Sequence, residues 1–175
     1  MDAGEQTGLG VGPGAGDVMV AGTTRQAALR ELIDRAAIHD ILLRYARGVD
    51  ARELESVAAL FVAGAAYSGR LGIGTIETAL ARLRISLGRF QRTMHVVDHQ
   101  LIEINGDRAD SETYATAYHR PIGSAPTDFT VGVRYLDALA RRGGAWLITR
   151  RVVEMEWQRH APVNTVSEQH SETFS

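Results

Sequence analysis

The dipeptide Asn105-Gly106 lies between two long extended runs, residues 93–105 and 108–120, and constrains this chain more than any other feature. A two-residue hairpin turn needs positive φ at its central positions, which Asn and Gly tolerate best, so the two runs are predicted to pair antiparallel. A second hairpin is legible in residues 129–140 and 146–157, joined across Arg141-Arg142-Gly143-Gly144. These strands are roughly twice the usual length of about 5 or 6 residues, which favours a strongly curved sheet.

The chain before that meander reads as helix. Leu29, Leu32, Ile33, Ala36, Ala37, Ile41 and Tyr45 recur at helical spacing, predicting a first helix over residues 25–47, opened by a Thr23/Gln26 capping box and broken at Gly48. Asp50 with Glu53 reads as the N-cap of a second helix that turns Leu54, Val57, Ala58 and Phe61 inward. A short extended piece is predicted at residues 65–68, then a third helix over 76–87 ended by Gly88. Helices followed by an antiparallel meander define an α+β fold with helices on one face of a sheet, and a small-molecule site is expected in its concave side.

Composition narrows the function classes. A chain of 175 residues supports one core, placed at residues 24–158, between a flexible Gly-rich tail at 1–23 and a polar tail at 159–175. Nineteen basic against 21 acidic residues give a net charge of −2, which argues against nucleic acid as a partner. The absence of cysteine excludes disulfides, thiolate zinc sites and iron–sulfur clusters within the chain. The glycine-rich start is not a dinucleotide fingerprint, because it lacks the Gly-x-Gly-x-x-Gly spacing. No apolar run reaches about 18 residues and the first 24 residues carry no basic side chain, so neither a membrane span nor a secretory signal is predicted and a cytoplasmic protein is expected.

Several segments, in order, carry a resemblance: Ile41 to Phe61, Thr93-Met94-His95, Gly106 to Tyr114, Arg134-Tyr135-Leu136-Asp137, and Gly144 to Arg150. Together they resemble the SnoaL-like branch of the nuclear-transport-factor-2-like superfamily, over roughly residues 25–158. The resemblance implies a cone-shaped α+β fold, a curved antiparallel sheet with three N-terminal helices on its concave face, and a homodimer. Relatives include scytalone dehydratase, a bile-acid dehydratase and ketosteroid isomerase. What it implies for function is a cofactor-independent lyase or isomerase that abstracts a proton alpha to a carbonyl in a small hydrophobic, oxygenated ring compound. A polyketide cyclase, a non-catalytic small-molecule binder and the small subunit of a ring-hydroxylating dioxygenase are the alternatives, because fold alone does not fix chemistry.

The resemblance also assigns candidate residues. Tyr45 and Asp50 are similar to the acid/base pair of the bile-acid dehydratase, and the competing readings are a core tyrosine and a helix N-cap. His95, in its Thr-x-His context, is the expected proton carrier, since an imidazole titrates near neutral pH. His119 matches a second histidine of scytalone dehydratase, and Arg150 a pocket arginine of the bile-acid dehydratase. Arg134 and Tyr114 are further substrate-binding candidates, with an ion pair on the outer sheet face and an interface as their plain alternatives. No metal site is expected: His95 and His99 lie about 13 Å apart along a strand, too far to share an ion. Arg82, Arg84, Arg89 and Arg92 read as a solvated surface rather than an anion platform.

Overall fold

A computed structural model of the protein describes residues 15–123 and 127–162, with side chains from residue 24 onward. Of the tails predicted at 1–23 and 159–175, residues 1–14 and 163–175 lie outside the described residues, whereas 15–23 are helical and 159–162 belong to a strand. The chain divides into two compact units, Met1–Ala36 and Ala37–Ser175. In the first, helix α1 (Ala15–Asp50) begins ten residues before its predicted start, and an i,i+4 pair joins Arg35 to Glu31 at 2.7 Å. Thr23 therefore lies within the helix instead of capping it. Asp17 to Ala21 contain no proline and extend the helical stretch backwards past the local capping signal.

At its other end α1 runs through Gly48 to Asp50, so the predicted break at Gly48 is corrected. The helix ends instead where Arg52 takes φ 61°, while Glu53 N–H closes onto the Gly48 carbonyl at 2.8 Å. Gly48 serves packing. A Cβ there would stand 2.7 Å from Val57 Cγ2, so only glycine lets the short helix α2 (Leu54–Ala58) dock this closely. The N-cap of α2 is Glu53, and Asp50 is thereby free of the capping duty its spacing suggested.

The remaining elements are β1 (Phe61–Gly69), β2 (Gly72–Thr75), α3 (Ile76–Leu87), β3 (Phe90–Asn105), β4 (Arg108–Pro121), β5 (Thr127–Arg142) and β6 (Ala145–Pro162). They build a curved, unclosed six-stranded sheet in the order β2-β1-β6-β5-β4-β3. The fold is α+β, and both predicted hairpins are present. Two differences stand out. β1 joins β6 in parallel, so the sheet is not wholly antiparallel, and β6 continues to Pro162, which pairs with Thr127.

Side-chain alternation gives the sheet an inner and an outer face. Along β4, Ala109, Ser111, Thr113, Ala115 and Ala117 are buried, alternating with less buried neighbours. Of these, Ala109 and Ala115 join Ile38, Leu42, Tyr45 and Val49 of α1, Leu54 and Val57 of α2, and Ile76 and Leu80 of α3 in one core cluster. Ile38, Leu42 and Ile148 are 0% exposed, and each such side chain contributes roughly 1.5–3 kcal/mol through burial. No helix of the described residues is long and apolar enough to cross a membrane.

Candidate active site

The last residue of α1 points its carboxylate at β3. Asp50 Oδ1 receives the Thr93 hydroxyl at 2.8 Å and faces His95 Nδ1 at 2.7 Å, while Oδ2 accepts the His95 backbone N–H at 2.8 Å. Strand alternation explains the convergence: Thr93 and His95 are two residues apart and share the inner face. The side chains of His95 and Asp50 are 10% and 24% exposed, largely screened from bulk water. Burial pushes the Asp50 carboxyl up, but the hydrogen bonds and charge of His95, with Thr93, outweigh it and hold the group below its ordinary value. An ionised Asp50 accepts a proton-bearing Nδ1, which leaves the His95 Nε2 lone pair available as a base.

His119 joins this pair. It is the cross-strand neighbour of Thr93, and its ring stands edge-on to that of His95 at 6.0 Å. Phe90 and Phe129 flank it at 4.7 and 5.5 Å, and its Nδ1 lies 3.2 Å from the Phe129 carbonyl. Burial and the nearby His95 lower its pKa, so His119 stays neutral near pH 7.

Tyr45 is in the core, 9% exposed, and its ring neighbours are Phe61 at 6.4 Å and Tyr135 at 5.6 Å. Over those rings lies a residue the sequence reading did not single out. Arg151, 0% exposed, stacks its guanidinium 4.2 Å from the Tyr45 centroid and 4.6 Å from that of Tyr135. It donates from Nε and Nη2 to the two oxygens of buried Asp137, each at 2.7 Å. Its Nη1 is buried without a partner in the protein. Burial works against this charge, but Asp137 more than compensates and raises the Arg151 pKa further. Burial, with Tyr45 nearby, pushes the Tyr67 phenol up to about 12 and Tyr135 higher still, so both remain neutral donors.

Arg150, the predicted pocket arginine, is exposed on the other side of β6. A register shift between Ala138 and Leu139 lets Ile148 and Arg151 share the inner face, although they are an odd three positions apart. Pure alternation from Trp146 and Ile148 points to Arg150; the bulge moves the inward position one residue on. Arg134 and Tyr114 are also on the outer face and are not brought to His95. Arg134 reaches Glu112, Glu154 and Glu156 at 3.0, 2.6 and 3.0 Å. Tyr114 donates to Glu112 at 3.1 Å and stacks on His99 at 4.4 Å. His95 and His99 thus face opposite sides, because a bulge between Val97 and Gln100 inverts the alternation. Among the described residues no group of three His, Asp or Glu is arranged to hold a metal ion. One further inner contact escaped the sequence reading, between His39 Nδ1 and Gln100 Oε1 at 3.0 Å.

Residues 30–152 match the SnoaL-like domain family, and the chain belongs to it. A candidate scytalone dehydratase from Novosphingobium aromaticivorans DSM 12444 is similar in structure, with a TM-score of 0.68 and 23% identity over 77% of this chain and 91% of that one. The hexachlorocyclohexane dehydrochlorinase LinA-type3 from Novosphingobium barchaimii LL02 gives 0.66 and 22% over 79% and 96%. A candidate aromatic ring hydroxylase from Novosphingobium aromaticivorans gives 0.60 and 20% over 75% and 94%. No curated protein matches the chain.

Proposed function

We propose that the protein is a dehydratase-type lyase acting on a small, hydrophobic, oxygenated molecule, with Asp50 and His95 as its base. The observation that carries this reading is the dyad: a carboxylate fixed by three hydrogen bonds, one of them to Nδ1 of an inward-facing histidine. Its family, and structural neighbours that include a candidate scytalone dehydratase and a dehydrochlorinase, agree with a role in small-molecule binding or elimination.

The chemistry follows from the orientation of the imidazole. His95 Nε2 takes the proton from the carbon alpha to a carbonyl, and Asp50 stabilises the imidazolium that forms. The C–H electron pair becomes the enolate and then the C=C bond as the β-hydroxyl leaves. The proton held on Nε2 returns to that hydroxyl, releasing water and restoring neutral His95. Tyr45 is the inner-face donor offered for the carbonyl oxygen, with the charged guanidinium of buried Arg151 stacked on its ring. His119, uncharged, gives the ring compound a flat wall with Phe90 and Phe129.

A homodimer belongs to the same reading. Outward-facing Met94, Val96, Leu101 and Trp157 are 55%, 40%, 63% and 48% exposed, apolar area that a second copy would cover. The catalytic claim is tested by screening cyclic β-hydroxy ketones for conversion to the conjugated enone, followed by ultraviolet absorbance. Asp50→Asn should lower kcat by about 10²–10⁴ with the fold intact; wild-type-like turnover by this variant would reject the dyad.

A further inference from the structure

Between the β1–β2 hairpin and α3 lies a hollow of about 430 Å³, lined by Arg70, Leu71, Gly72, Arg82, Ile85, Ser86 and Arg89. That volume is within the range of small-ligand sites, about 300–1,000 Å³. Three guanidinium groups border it and no carboxylate does. Among the described residues none of the three makes an ion pair, whereas the adjacent Arg84 is neutralised by Glu55 at 2.7 Å. In a chain of net charge −2, this local excess of positive charge is set by position and not by composition.

Arg82 is also held in place. Its Nη1 donates to the Leu71 carbonyl at 2.6 Å, and the guanidinium packs against Gly72, in the space that a Cβ there would take. A guanidinium fixed in this way loses little freedom when it binds an anion. Ser86 adds a hydroxyl, while Leu71 and the 70% exposed Ile85 supply an apolar wall.

We propose that this hollow binds the phosphate or pyrophosphate group of a small molecule, so that the exposed Arg82 and Arg89, which the sequence suggests are only part of a solvated surface, form an anion platform with Arg70. Guanidinium forks match phosphate oxygens in geometry as well as charge. The position of Arg70 favours a substrate handle over a separate effector as the source of that group. Its guanidinium lies 5.6 Å from the Phe129 ring, which stands 5.5 Å from His119, itself 6.0 Å from His95. This second step rests on the dyad reading; phosphate binding itself does not.

Calorimetric titration of the full chain with pyrophosphate at low ionic strength tests the binding. Saturable binding at one site is expected, weakened at least tenfold in Arg89→Gln and in the Arg82→Gln/Arg89→Gln double variant, and unchanged in His95→Gln. Absence of saturable heat in wild type, or equal affinity in folded Arg89→Gln, overturns the proposal. Hexyl phosphate then separates the two sources by NMR. Shifts at the Arg82 and Arg89 side chains together with the His119 and His95 rings support the substrate handle. Shifts confined to the arginines overturn the handle and leave a separate phosphate ligand.

Discussion

Asp50 shows how much one side chain can gain by losing an ordinary job. Released from capping α2, its two oxygens are available for Thr93, the His95 amide and the His95 ring. The tautomer of His95 is then set by Asp50, because the group bonded to one ring nitrogen decides where the proton resides. Side-chain ¹⁵N spectra of the neutral form should show His95 protonated on Nδ1, and Asp50→Ala should shift population to the Nε2–H form; an unchanged spectrum would break the link. His119 carries a pH prediction. Its folded pKa is below the 6.5 of a free imidazole, so below that value the unfolded chain binds more protons than the folded one. Stability should therefore fall as pH drops through 6.5 towards the folded pKa. Between pH 7.5 and 5.5 the melting temperature of His119→Gln should decline less than that of wild type.

At the scale of elements, β5 and β6 are joined across their inner face by Asp137 and Arg151, directly opposite each other in the register. Arg151→Met leaves Asp137 buried and unpaired, which should cost about 3–5 kcal/mol in denaturant unfolding. The double variant Arg151→Met/Asp137→Leu should recover most of that loss, since a buried pair stabilises little relative to an apolar replacement. A double variant no more stable than Arg151→Met would show that Arg151 acts through its packing on Tyr45 and Tyr135. The same strands mark where sequence reading ends. Long alternating runs and Asn105-Gly106 made β3 to β6 legible, and Thr93-Met94-His95 put its histidine on the inner face. Arg151 was hidden because a bulge adds a residue that no local signal announces. β1 was reduced to a short extended piece because Ala63, Gly64, Ala65 and Ala66 lack the branched and aromatic residues that advertise a strand. Gly48 looked like a helix stop because a close helix–helix approach and a chain break both call for glycine.

For the whole molecule, the outer sheet face combines exposed apolar side chains with the Arg134 network of Glu112, Glu154 and Glu156. If two copies cover this face, light scattering should give twice the 19.0 kDa chain mass, and Leu101→Glu should return the monomer with its fold retained. A monomeric wild type would remove the dimer from the account and leave the dyad untouched, since Asp50, Thr93, His95 and His119 all come from one chain. The central claim concerns that dyad, and the most direct test is proton abstraction itself. Cyclic β-hydroxy ketones would be incubated in D₂O with wild type and with His95→Gln, and NMR would follow deuterium entry at the alpha carbon together with enone formation. The account predicts exchange and elimination by wild type, and rates at least about 10²-fold lower in the folded variant. Equal rates in the two proteins would contradict it.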